Sequence, residues 1–262
     1  MKYYIIAVLC FSICVSFFLG CAAQKEITEA PKISELELLD SLLAQDTVIH
    51  SVRLTGKGKY YSSSGKHVFT VGLVTDRDEQ KMAAYIGGPL GTTFTILWLC
   101  HKDSLCIYIT YRKQVLVEPI GIELEGVVLP PSARIMIDMF SGIAPIAQFK
   151  DNLTNFESIP AGYYLTFEKD EEALVALVKP EPWHIDGYQW IKKGNPQQIV
   201  DVQFGEGEVI DGIWRPSKMK ISAPSLDQEI NIIIDKDSRN IEISDSLFFP
   251  EIPQDVEWLR AF

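Results

Sequence analysis

Five cysteines and four histidines are the side chains best suited to chemistry in this 262-residue chain, and their spacing narrows what they could do. Cys10 and Cys14 lie inside an apolar run from Tyr3 to Leu19, and Cys21 follows Gly20 at its end. The other two thiols sit in Trp98-Leu99-Cys100-His101-Lys102-Asp103-Ser104-Leu105-Cys106, whose polar centre reads as a hairpin turn. With an odd loop centred on Asp103, Cys100 faces Cys106, Trp98 pairs with Tyr108, and a disulfide is within reach. A two-residue Asp103-Ser104 loop shifts the register and parts the sulfurs. An oxidising compartment favours the bond, and two separate thiols are the alternative. His50, His67, His101 and His184 lie far apart, without HxxxH or HExxH spacing, so no metal site is expected. Cys100 sits mid-strand with His101 on the opposite face, which does not make a nucleophile and base. Asp170-Glu171-Glu172 reads as a solvated turn. With no GxSxG elbow, P-loop or GxGxxG, the reading is not an enzyme and carries no cofactor.

The remaining chemistry is a modification. Lys2, the apolar stretch and a small-residue exit have the layout of a secretory signal. Phe18-Leu19-Gly20-Cys21 resembles the lipobox of bacterial lipoproteins, with Phe18 and Leu19 where Leu and a small residue are usual. That resemblance implies removal of residues 1–20 and a covalent diacylglycerol and N-acyl lipid, such as palmitate, on Cys21. It also implies that Ala22, in place of an aspartate, sends the protein to the periplasmic face of the outer membrane. An uncleaved anchor is the alternative, because the apolar run is at the short end of what crosses a bilayer.

Charge points the same way. The leader holds Lys2 and no acid, so without it the chain carries 23 basic and 35 acidic side chains. Such an acidic chain is a poor candidate for nucleic acid or for electrostatic docking on anionic lipid. The membrane is reached through Cys21. Residues 21–32 form the lipidated cysteine and a polar tether, roughly 35 Å long when extended.

One domain follows, over residues 33–262. Ser34 caps an expected helix to about residue 44, with acids in its first turn and Leu36, Leu39, Leu42 and Leu43 as its stripe. From Thr47 the apolar period changes to two. Strands are expected at 47–61, 66–75, 82–87, 92–100, 105–111 and 113–118, then at 162–168, 173–179, 185–192, 198–205, 208–222, 228–235 and 240–246. A second helix interrupts at 132–141, capped by Ser132 and stopped by Gly142. The class is mainly β with two or more helices (α+β).

Phe69, Ile86, Phe94, Ile96, Trp98, Tyr108, Ile135, Met136, Met139 and Phe140 exceed what one thin sheet can hide. A strongly curved antiparallel sheet with helices across its mouth would gather them round a cavity, whereas a filled core is the plainer outcome. The tight turn Gly87-Gly88-Pro89-Leu90-Gly91-Thr92 carries one large side chain, Leu90. At a loop tip, that leucine either meets another surface or folds back as a plug.

Together the lipobox, the first helix, the meander with its Pro89-Leu90-Gly91 turn and the mid-sheet helix resemble the LolA/LolB superfamily. The resemblance covers roughly residues 34–120, more loosely to 240. The segment from Pro216 to Phe249 looks more like other LolA-like envelope lipoproteins. It implies an unclosed β-barrel that binds acyl chains, receives lipoproteins from a soluble LolA-like periplasmic carrier, and inserts them into the outer membrane. By the same resemblance, Leu90 inserts cargo into the bilayer. No residue matches the arginine that holds the lid of carrier members. Binding of another lipid or glycolipid, or a structural role with a filled core, are the alternative functions.

Overall fold

The computed structural model describes residues 30–88, 96–101, 104–120, 132–194, 198–249 and 251–259, with backbone placement alone for 96–100. Cys21, Pro89, Leu90, Gly91 and Phe94 lie outside the described residues.

Alternating apolar positions build strands β1 (Ser51–Ser62), β2 (Gly65–Asp76), β3 (Lys81–Gly87), β4 (Ile96–His101), β5 (Ser104–Ile109) and β6 (Gln114–Pro119). After a helix at Ala133–Phe140 come β7 (Leu153–Ile159), β8 (Gly162–Lys169), β9 (Glu172–Lys179), β10 (His184–Lys192), β11 (Gln198–Ile210), β12 (Ile213–Ala223), β13 (Gln228–Arg239) and β14 (Glu257–Leu259). All join one 14-stranded sheet in the order β14-β6-β5-β4-β3-β2-β1-β13-β12-β11-β10-β9-β8-β7. Neighbours are antiparallel except β14 beside β6. β1 pairs with β13, which joins the first and the last long strands in mid-sheet. β14 and β7 are the two edges, so the curved sheet is an unclosed barrel.

Helix α1 (Glu35–Thr47) begins in a capping box: Glu37 N–H donates to Ser34 Oγ at 3.3 Å, and Ser34 N–H donates to Glu37 Oε2 at 3.1 Å. Its buried line is Leu38, Leu42 and Asp46, one turn apart, while Leu36 points out at 68% exposure. The stripe expected from the sequence therefore starts on the wrong residue. Helix α2 (Ala133–Phe140) is capped by Ser132 and stopped at Gly142, where φ is +70°. Unlike a surface helix, α2 buries almost its whole circumference. Ile135 and Met139 join a core with Leu38, Leu42 and the inward residues of β8–β13. Ala133, Met136 and Ile137 join a second core with Val52, Leu54, Leu73, Met82 and Leu105.

Several boundaries depart from expectation. The apolar stretch 208–222 breaks at Asp211-Gly212, both at positive φ, into the β11–β12 hairpin. Residues 240–246 are not a strand. They begin a strap that crosses the outer face of β2–β5, where Phe248 is buried on Val74 and Ala83 beside Tyr85 and Tyr108. β7 and the short β14 carry weak alternation and were not expected.

Candidate functional site

The site is the face of the sheet that looks toward the helices. Strand register decides which residues share it, because partners across an antiparallel pair lie on one face. Leu73 stands opposite Ala84, Val71 opposite Ile86, and Phe69 opposite Gly58. Continuing across, positions 96 and 98 of β4 stand opposite Ile86 and Ala84, and Ile107 stands opposite position 98. By register, Phe69, Ile86 and positions 96 and 98 fall in rows of one face.

The two ends of that face differ. Toward the start of β1 the space is filled: Val52, Leu54, Leu73, Met82 and Leu105 are buried under α2. Met136 is buried there with no accessible surface, and Ile135 and Met139 are buried in the other core. They fill the core instead of lining open space. Toward the β3–β4 connection, Phe69, Val71, Ile86 and Ile230 are only half-buried. Gly58 makes the room: a side chain there would strike the Phe69 ring.

Two expectations fail on one register. β4 ends at His101 and β5 starts opposite it at Ser104, leaving two residues between them. Cys100 therefore stands opposite Leu105 and Cys106 opposite Leu99, on opposite faces of the sheet, and Cys106 is a free thiol. That register is the one that parts the sulfurs, and it matches the alternative of separate thiols. Tyr108 moves with the same shift, from the inner face to the outer one, where it packs near Ile243 and Leu247 under the strap.

One residue at the closed end was not singled out by the sequence. Arg77, in the turn after β2, is 1% exposed and reaches both helices. Its Nε donates to Asp138 Oδ1 of α2 at 2.8 Å, and its Nη2 pairs with Asp46 of α1. Nη1 donates to the carbonyls of Asp46 and Ile49 at 2.7 and 2.6 Å. Arg134 donates to the other Asp138 oxygen at 3.1 Å and to the Arg77 carbonyl at 2.8 Å. Burial works against the Arg77 charge, but Asp138 and Asp46 outweigh it and hold the guanidinium above its ordinary range. Burial pushes the Asp138 carboxyl up, more than Arg77 and Arg134 pull it down. The only local hint was an arginine between two acids, Asp76 and Asp78, which reads as a solvated turn.

The histidines serve separate contacts. His50 meets Asp78 at 2.9 Å, His67 stacks on Tyr60, His101 lies edge-on to Phe249, and His184 stacks on Trp214. Among the described residues no group of three His, Cys, Asp or Glu could hold a metal, and no helix is long and apolar enough to cross a membrane.

No family model and no curated protein matches the sequence. Solved structures match the fold. A LolA superfamily protein from Nitrosomonas europaea superposes with a TM-score of 0.56 at 11% identity, over 83% of this chain and 98% of that one. A DUF1329 family protein from Desulfovibrio piger gives 0.54 at 12% identity, over 82% and 97%. A domain assigned to outer-membrane lipoprotein sorting, from Vibrio parahaemolyticus, gives 0.53 at 11% identity, over 80% and 95%. The architecture is an unclosed antiparallel barrel with two helices. It is the LolA-like fold.

Proposed function

We propose that this protein is an envelope lipoprotein, held by lipid on Cys21 at the periplasmic face of the outer membrane, that binds acyl chains on the concave face of its sheet. The observation that carries this reading is the group of half-buried apolar residues, Phe69, Val71, Ile86 and Ile230, toward one end of a LolA-like fold. Each acyl CH₂ taken from water is worth about 0.8 kcal/mol, so a sixteen-carbon chain carries roughly 12 kcal/mol. Such cargo needs a dry concavity that holds it through non-directional contacts. The filled end, tied by Arg77, gives that concavity a rigid floor. Ile86 leads directly into the 88–95 connection, so Leu90 would stand where cargo leaves for the bilayer. A soluble LolA-like carrier would supply lipoproteins, and transfer would run toward the more apolar receiver.

Depletion of the protein in its native cell, complemented with the full chain or with its Leu90→Glu variant, tests this. Lipoproteins accumulating on a periplasmic carrier in both the depleted and the variant cells is the expected result. Unchanged lipoprotein sorting with disturbed phospholipid or glycolipid content would move the reading to another lipid. No change in either would leave an anchored β-protein with no acyl cargo.

A further inference from the structure

The outer face of the same sheet carries a charge pattern that the acidic composition conceals. Register sets Lys218, Ile233 and Lys57 in one row across β12, β13 and β1, and Lys220, Asn231 and Lys59 in the next. At about 4.8 Å between strands and 3.4 Å per residue, the four lysines mark a rectangle about 10 Å by 7 Å. Lys66 extends it at the β1–β2 turn, stacked over Tyr61 at 5.7 Å. Lys218 meets Glu206 at 3.0 Å and Lys220 meets Glu229 at 2.8 Å. Lys57, Lys59 and Lys66 have no acidic partner among the described residues. The face is therefore net positive on a chain of net charge −11.

We propose that this face, β12-β13-β1-β2, docks on an anionic phospholipid bilayer. Charge complementarity is the first argument. The second is residue type: the patch is built of lysines, mobile point charges that suit a diffuse negative surface, whereas a fixed carboxylate on a protein favours the fork of arginine. The third is the apolar filling, since Ile233 is 55% exposed between Lys218 and Lys57, and Val68, opposite Lys59, is 47% exposed. Cations rimming exposed aliphatic side chains fit the boundary between headgroups and acyl chains. Among the described residues the patch is also uncovered: the C-terminal strap covers the other half of the outer face, packing on Val74, Ala83 and Tyr108. On its far flank the patch opens into a hollow of 760 Å³ lined by Tyr164, Leu177, Gly187 and Gly205, where the carboxylates Asp186 and Asp201 bound the positive area. Docking here does not depend on what the concave face carries.

Lysine acylation footprinting of the full chain tests it, with vesicles of phosphatidylcholine alone or mixed with phosphatidylglycerol. Any insertion by the apolar leader occurs in both, so the difference isolates charge. Anionic vesicles should cut acylation of Lys57, Lys59, Lys218 and Lys220 about threefold at low salt, with recovery near 1 M salt, and leave Lys150 and Lys169 unchanged. Lys57→Glu with Lys59→Glu, both at exposed positions, should keep the melting temperature and abolish protection at Lys218 and Lys220. Equal protection by both vesicle types, uniform protection of all lysines, or none at the four would overturn the proposal.

Discussion

Arg77 shows how one side chain can set a local structure. It meets five demands at once: two carboxylates, two carbonyls and a packing place with almost no solvent. Removing it leaves Asp46 buried without its cation and Asp138 with Arg134 alone, a loss of about 3–5 kcal/mol. Arg77→Ala should therefore lower the thermal midpoint by roughly 10 °C, at 2–4 °C per kcal/mol for a domain of this size. Arg77→Lys should recover only part of it, because one ammonium cannot reach both helices in the same geometry. At the same scale, Cys106 should take up N-ethylmaleimide under denaturing, non-reducing conditions, as read by peptide mass spectrometry. A Cys100–Cys106 bond would block that uptake. Burial pushes the Cys106 thiol up, so in the folded protein its reaction should be slow at neutral pH. Neither residue's role was legible in the sequence. Asp46, Arg77 and Asp138 are brought together by the fold alone, and the cysteine pairing hung on whether one loop was odd or even.

At the scale of elements, local signals were read where the physics is local. Ser34, Ser132 and Gly142 placed both helix ends through caps and a left-handed stop. Ser34→Ala removes the α1 cap at a cost of about 1 kcal/mol, measurable as a lower urea midpoint. Hydrogen bonds from Ser34 hold the Glu37 carboxyl below its ordinary value, so its contribution is present at neutral pH and fades as pH falls through that lowered value. The stability gap between the Ser34→Ala variant and the parent should thus narrow in acid, leaving the cap bond from Glu37 N–H. In the sheet, Gly58→Ala should drive the Phe69 ring from its seat and cost about 1–3 kcal/mol, whereas the outward position Gly72 has open space and should tolerate alanine. What failed at this scale is what depends on partners. The stripe of α1 began at Leu38 instead of Leu36 because the fold, and not the helix, chose which leucines met a core. Tyr108 read as a cavity residue only under a register one residue away from the true one. β14 is three residues long and exists because β6 offers an edge.

At the scale of the whole molecule, alternation and composition conveyed a curved sheet with two helices, and the LolA-like fold bears that out. They conveyed nothing of the lysine face, whose members lie on three strands far apart in the chain and are outnumbered by acids elsewhere. Net charge argued against anionic lipid for the chain as a whole, but a membrane meets one face of it. The central claim concerns the other face. Its most direct test is in-cell photo-crosslinking from the full chain, with a photoreactive residue at position 86 on the inner face or at position 68 on the outer one. Adducts bearing acyl chains of lipoproteins at 86 and none of these at 68 are the result expected of an acyl-binding concave face. Lipoprotein acyl adducts at neither position, or equally at both, would contradict it.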